Sequence, residues 1–303
     1  MLITPATLKA LQVSLDLRFK QAYANAQVQH PRIASTIPSG ARANVYPMHA
    51  KLAKLRVWDG ERKLVNAKSY KYQLDNESYE LTVEVDRDDI EDDSIGVYSG
   101  LVDEMGMQAR LWPDDLVFAA ILAGGTETAY DDVNFFSNSH SLGGNTIDNL
   151  FGSTALTPSN FASVRASMME YVGEDGESLR VRPDVLLVPP ALEVTARKIV
   201  QASTIVDSGT TGAVDNVLRG LSEVVVAPQL ATSAGGSDST WYLLDTTRPI
   251  KPFIFQQRQA PEMVALTNPS DEHVMMRNKF VYGVKARGAA GYGPFWLAAK
   301  CSA

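Results

Sequence analysis

Residues 130–140, YDDVNFFSNSH, gather Asp131, Asp132, Asn134, Asn138 and His140, side chains that could ligate a divalent cation. A calcium loop would also need a central glycine and a closing glutamate. Neither is present, so the segment reads as a polar loop with Asx turns. A second candidate is the run Asp88, Asp89, Glu91, Asp92 and Asp93. Paired carboxylates can do acid–base work, but these precede a long helical pattern, where anions favour the positive end of the helix. The structural reading is preferred, with loose metal binding left open. His30, His49, His140 and His273 are scattered. No nucleophile elbow, phosphate loop or zinc-protease signature occurs. Gly288, Gly291 and Gly293 near the end lack a strand–helix context and suit tight turns. Cys301, the single cysteine, has no activating partner and is expected to be inert. The expectation is no enzyme, no cofactor and no metal. A hydrolase using Asp92 and His140 is the enzymatic alternative.

The elements that would position these residues follow from periodicity. Residues 1–25 carry Leu8, Leu11, Leu15 and Phe19 at helical spacing, with Pro5 at the first helical position. This stripe must bury against the same subunit or a neighbour. Residues 29–47, with Pro31, Pro38, Gly40 and Pro47, read as an extended arm. From 51 to 85 the pattern alternates: Val57, Trp58, Leu64 and Val65 flank the hairpin turn Asp59-Gly60, and Tyr79, Leu81, Val83 and Val85 follow. Strands this thin need support from another domain or subunit. Residues 88–124 give the strongest helical signal, from Val97 through Met105, Trp112 and Leu116. Pro113 predicts a break or bend within two residues and is a candidate hinge. Thr157-Pro158 caps another helix. Buried runs follow at Val185–Val188, Val224–Val226, Trp241–Leu244 and Phe253–Phe255. The tail alternates at Val274, Met276, Phe280, Tyr282 and Val284, and its strands are expected to return to the first domain.

The 303 residues suffice for two domains, and 45% hydrophobic with 21% charged is a soluble globular profile. The net charge of −7 disfavours tight DNA binding, which needs clustered bases; facing packaged DNA loosely is still compatible. No signal peptide or membrane-spanning run is read.

Several strings resemble the Mu-like phage major head subunit family. They are MLITPATLKAL at the start, DRDDIEDDSIGVYSGLVDEMG at 86–106, PDDLVFAAILAG at 113–124 and YDDVNFFSNSH at 130–140. The C-terminal strings WYLLDTTRPIKPFIFQQRQAPEMVAL at 241–266 and DEHVMMRNKFVYGVKARGAAGYGPFWLAA at 271–299 match as well. The resemblance thins over 141–220. It implies an α+β fold of the Hong Kong 97 capsid type, divided into an N-terminal arm (1–43), an extended loop (44–85), a peripheral domain (86–156) with a spine helix (88–124), an axial domain (157–255) and a return to the peripheral domain (256–303). It also implies a virion subunit that forms hexamers and pentamers around double-stranded DNA, with separate scaffold, protease and portal proteins, because a spine beginning near residue 90 leaves no room for a scaffolding segment. An encapsulin-type compartment is the alternative shell.

Charge adds one expectation. Residues 49–72 hold seven bases (Lys51, Lys54, Arg56, Arg62, Lys63, Lys68 and Lys71) against Asp59 and Glu61. Residues 84–104 hold nine acids, Asp88, Asp89 and Asp92 among them, against Arg87. In this fold type the extended loop crosses the neighbouring subunit. The resemblance and the charges together make Lys54, Arg56, Trp58, Arg62 and Lys63 interface candidates, docking on the neighbour's acidic spine start.

Overall fold

The computed structural model describes residues 5–49, 60, 69–91, 95–174, 176–206, 213–267 and 272–303. Helix α1 (Pro5–Asn25) starts at the first-turn proline as expected, and the short helix α2 (His30–Ile33) follows. Strands β1 (Ala34–Pro38), β2 (Ala43–His49), β3 (Ser69–Asp75) and β4 (Glu77–Asp86) come next, then helices α3 (Arg87–Glu91) and α4 (Ile95–Ala123). Three short strands, β5 (His140–Leu142), β6 (Asn145–Ile147) and β7 (Leu150–Phe151), precede α5 (Pro158–Met169). Thr157 caps α5 by accepting from Asn160 N. The chain continues through β8 (Val185–Val188), α6 (Glu193–Gln201), β9 (Thr204–Val206), β10 (Ala213–Asp215), β11 (Glu223–Val226) and β12 (Trp241–Leu244). It ends with β13 (Phe253–Leu266), α7 (Glu272–Arg277), β14 (Lys279–Tyr292) and β15 (Ala298–Cys301).

Two sheets organise the molecule. The first has the order β1-β13-β14-β4, and the second β11-β8-β12-β15-β7. In the first, β13 and β14 form a long antiparallel hairpin, β4 pairs along β14 (Phe280 opposite Val85), and β1 runs parallel to β13 (Ala34 opposite Phe253). Its alternation places Tyr282 and Val284 of β14 with Val83 and Val85 of β4 on the face towards α4. In the second sheet β8 and β12 are buried on both faces, so their sequences VLLV and WYLL are unbroken apolar runs. Helices α5 and α6 contribute Phe161, Val164, Met168, Ala196, Ile199 and Val200 to the same core.

Several expectations change. The 29–47 stretch is extended in β1 and β2, with the short helix α2 before them, and β1 is an edge strand of the first sheet. Among the described residues of 44–85, β2 and β3 form a ribbon separate from the first sheet, from Ala43 opposite Asp75 to His49 opposite Ser69. Strand β4 belongs to the first sheet, because β14 offers its whole length as a partner. Val274 and Met276 lie on helix α7 and not on a strand; Val274 is buried and Met276 is exposed, a difference that a two-residue alternation cannot give. The tail splits as well. Strand β14 joins the first sheet, whereas β15 enters the second, between β12 and β7. Of the break or bend expected at Pro113, the break is absent: α4 runs as one α-helix through it. The proline gives up only its own N–H bond. The residues around it are gripped: Ala109 and Val117 are buried, and Trp112 packs against Tyr79 and Phe255 at centroid distances of 5.2 and 5.4 Å.

Candidate assembly interface

The expected interface residues of α1 fall inside the subunit. Leu15 and Phe19 are each 4% exposed and pack with Val102, Met105 and Ala109 of α4 and with Phe280 of β14. Leu11 is partly buried on the same cluster. The side chain of Leu8 lies outside the described residues. Of the two alternatives for this stripe, Leu15 and Phe19 follow the first: the chain's own α4 covers them. Gly106 explains how closely the helices approach. A Cβ there would lie 2.6 Å from the Phe19 carbonyl oxygen, so only glycine lets α1 seat. Arg18 fastens the contact with two bonds to Asp103, Nε to Oδ1 at 3.2 Å and Nη2 to Oδ2 at 2.6 Å. The hydrogen bond from Arg18 holds the Asp103 carboxyl below its ordinary pKa, and the same bond raises that of Arg18. The opposite side of α1 leaves Val13 and Leu17 exposed.

Lys54, Arg56, Trp58, Arg62, Lys63 and Asp92 lie outside the described residues. Asp88 and Asp89 sit in the first turn of α3 and are exposed. The Asp88 carboxylate accepts from Asn278 Nδ2 at 3.0 Å, tying α3 to the end of the β13–β14 hairpin.

The structure adds a polar clasp that periodicity does not reveal. Asp114 of α4, 2% exposed, accepts from Gln29 N, His30 N and His30 Nδ1, at 2.8, 2.8 and 2.6 Å. Gln29 Nε2 reaches across to the Val226 carbonyl of β11 at 2.8 Å. Arg32 bonds Glu223 (2.6 Å), Thr246 (2.5 Å) and Asp184 (3.1 Å), all flanking strands of the second sheet. Burial works against the Arg32 charge, but its bonds to Glu223 and Asp184 outweigh this and raise its pKa. One short helix, α2, thus links the spine, the first sheet through β1, and the second sheet. A short-range signal did exist, in Asp114 directly after Pro113, but its partners are more than eighty positions away.

The polar loop at 130–140 is structural. His140 is fully buried and stacks on Phe295 at 3.8 Å and 6°. Its Nδ1 meets Asp131 Oδ2 at 2.7 Å and its Nε2 meets the Phe135 carbonyl oxygen at 3.2 Å, so both ring nitrogens are engaged. Among the described residues no cluster of His, Cys, Asp and Glu could hold a metal ion. Burial pushes the Cys301 thiol well above its ordinary pKa. No helix among the described residues is long and apolar enough to cross a membrane.

Two sheets, the long helix α4 and the two-stranded β2–β3 ribbon make up the described architecture. The model of the Mu-like prophage major head subunit gpT family matches residues 8–152, 149–230 and 229–303. The chain is 30% identical to the major capsid protein of Escherichia phage Mu over 98% of its own length and 73% of that protein. It is 32% identical to the FluMu prophage major head subunit of Haemophilus influenzae, over 97% and 72%. The procapsid of bacteriophage JBD30 superposes with a TM-score of 0.61 at 31% identity, covering 99% of this chain and 76% of that one. A virus-like particle from Pyrococcus furiosus superposes at 0.53 with 7% identity, over 95% and 98% of the two chains, which shows a shared fold alone. The fold is the Hong Kong 97 type, and the chain belongs to the Mu-like prophage major head subunit gpT family.

Proposed function

We propose that this chain is the major capsid protein of a Mu-like tailed phage and forms the shell of its head as hexameric and pentameric capsomers around double-stranded DNA. The observation that carries the reading is the family match along nearly the whole chain. The acidic net charge suits a loose, non-specific relation to the packaged DNA. Scaffold, protease and portal functions belong to separate proteins, assembly takes place in the host cytoplasm, and the subunit itself carries out no catalysis.

Within a capsomer, the basic segment around Lys54, Arg56, Arg62 and Lys63 docks on a neighbouring copy by charge. Its intended acceptor, residues 84–104, is partly committed inside its own subunit. Glu84 accepts from Lys279 at 3.0 Å, and Asp103 is held by Arg18. Exposed pairs contribute only ~0.2–1 kcal/mol each, so their effect comes from repetition around a closed shell. The test is expression of the chain with its scaffold, followed by electron microscopy. Closed icosahedral particles are expected, and soluble monomers alone would contradict the reading. Reversing Arg56 and Lys63 together should lower particle yield.

A further inference from the structure

The fold sorts the methionines whose side chains are described. Met105 and Met168 are buried in the two cores, and Met263 is partly buried against the smaller one. Met107 and Met169 are 37% and 41% exposed, and Arg165 Nη1 bonds the Met169 sulfur at 3.1 Å. Met275 and Met276 of α7 stand apart, at 78% and 76% exposed. Local geometry holds them there. Val274 anchors α7 in the cluster of Phe280 and Tyr282. On a helix the next two side chains point ~100° and ~200° away from such an anchor. The end of α7 is fixed as well. Asn278 turns left-handed at φ 54°, and its N–H bonds the Val274 carbonyl at 3.0 Å. Its Nδ2 bonds Asp88, and its carbonyl accepts from Arg87 N at 3.0 Å. Rolling α7 to bury the two methionines would break these bonds and lift Val274 from its cluster.

We propose that Met275 and Met276 form a peroxide-responsive site, and that their oxidation blocks shell closure at the outer end of the first sheet. The blocking rests on the shell reading above, in which neighbouring copies meet this end. A thioether has no proton to lose, so its reaction with a peroxide is governed by access. The sulfur lone pair attacks one peroxide oxygen, the O–O bond breaks and an S–O bond forms. The other oxygen leaves as water, or as an alcohol from an alkyl hydroperoxide, once the proton has transferred to it. Sulfur is oxidised and the peroxide reduced, so no further electron donor is required. Two apolar side chains thereby become two strong dipoles, which must be desolvated when a neighbour docks. Methionine sulfoxide is reversed by dedicated reductases, so the site can be reset.

Dissociated subunits treated with dilute hydrogen peroxide test the site. Peptide mass spectrometry over time is expected to find sulfoxide at Met275 and Met276 first, ahead of Met107 and Met169, with Met105 and Met168 unchanged. The treated subunits are then combined with scaffold, and particles are counted by electron microscopy. A several-fold loss of particles is expected. Prior incubation with both methionine sulfoxide reductases, one for each sulfoxide epimer, should restore the yield. The loss should be absent from M275L/M276L, which keeps the apolar volume and removes the sulfur. Earlier oxidation at another methionine, unchanged yield once both are oxidised, or equal loss in M275L/M276L would overturn the proposal. Should that variant not assemble, the reductases decide on the wild type: repaired sulfurs without recovered yield would overturn it. Untreated wild-type subunits that form no particles would instead sink the shell reading and the blocking with it, while the order of oxidation would still test the site.

Discussion

The two halves of α4 live in different surroundings. Its C-terminal half places Val117, Phe118 and Ile121, none more than 1% exposed, in the large core shared by both sheets. Its N-terminal half places Val102, Met105 and Ala109 in a smaller cluster with residues of α1, one face of the first sheet and Val274 of α7. Leu101 and Met107 stay exposed there, as do Val13 and Leu17 on the outside of α1. The second sheet lies in the large core that it shares with α4 and the inner end of the first sheet, whereas the outer end of the first sheet packs in the smaller cluster. In the proposed shell, this end is where contacts from neighbouring copies are expected.

The largest expected effect breaks the strong half. Phe118→Ala should cost ~3–5 kcal/mol, because a large side chain is lost from a core that cannot collapse. Chemical denaturation of the isolated subunit reads it. Met105→Ala in the weaker half should cost less, ~2–3 kcal/mol, because α1 can settle into the space. Equal losses would erase the distinction between the halves. Deleting residues 1–25 sharpens it further: the small cluster is laid open, normal shells should fail to form, and the second sheet should keep its folded signature by near-ultraviolet circular dichroism.

Asp114→Ala sits between the halves and removes the acceptor for three donors. Left buried without partners, those donors should cost ~1–3 kcal/mol. Hydrogen exchange should rise at Gln29 and His30 first. An unchanged exchange pattern would mean that α2 does not depend on the clasp.

Much of this contrast was legible in the residues. The stripe Leu11, Leu15, Phe19, the capped helix after Thr157, and the VLLV and WYLL runs each announce their element, because burial on a regular element leaves a regular pattern. The rest depends on distant partners. Four residues, AAKC, have no periodicity that could assign β15 to the second sheet. Pro113 reads locally as a breaker, and only the packing on either side shows that the helix survives it. Asp114 and Arg32 look like surface charges until the segments that bury or engage them arrive from positions far along the chain.

The smallest effect is electrostatic. Asp103 has its pKa depressed by Arg18, so its contribution is present above its unfolded pKa of ~3.9 and is lost as pH falls through the lower folded value. The α1–α4 contact should therefore loosen only in strong acid, and Arg18→Ala should abolish this acid step by giving up the same small contribution already at neutral pH. Limited proteolysis of α1 against pH reads both.

In the proposed closed shell, α4 and the second sheet keep their core within the subunit and the outer end of the first sheet meets neighbouring copies. Cryo-electron microscopy of purified particles tests it most directly. Icosahedral shells are expected in which α1 lies on its own α4 at Gly106, the second sheet keeps the order β11-β8-β12-β15-β7, and neighbouring copies cover the exposed Val13 and Leu17 of α1. Particles in which α1 crosses to another subunit, or in which Val13 and Leu17 face solvent, would contradict this arrangement.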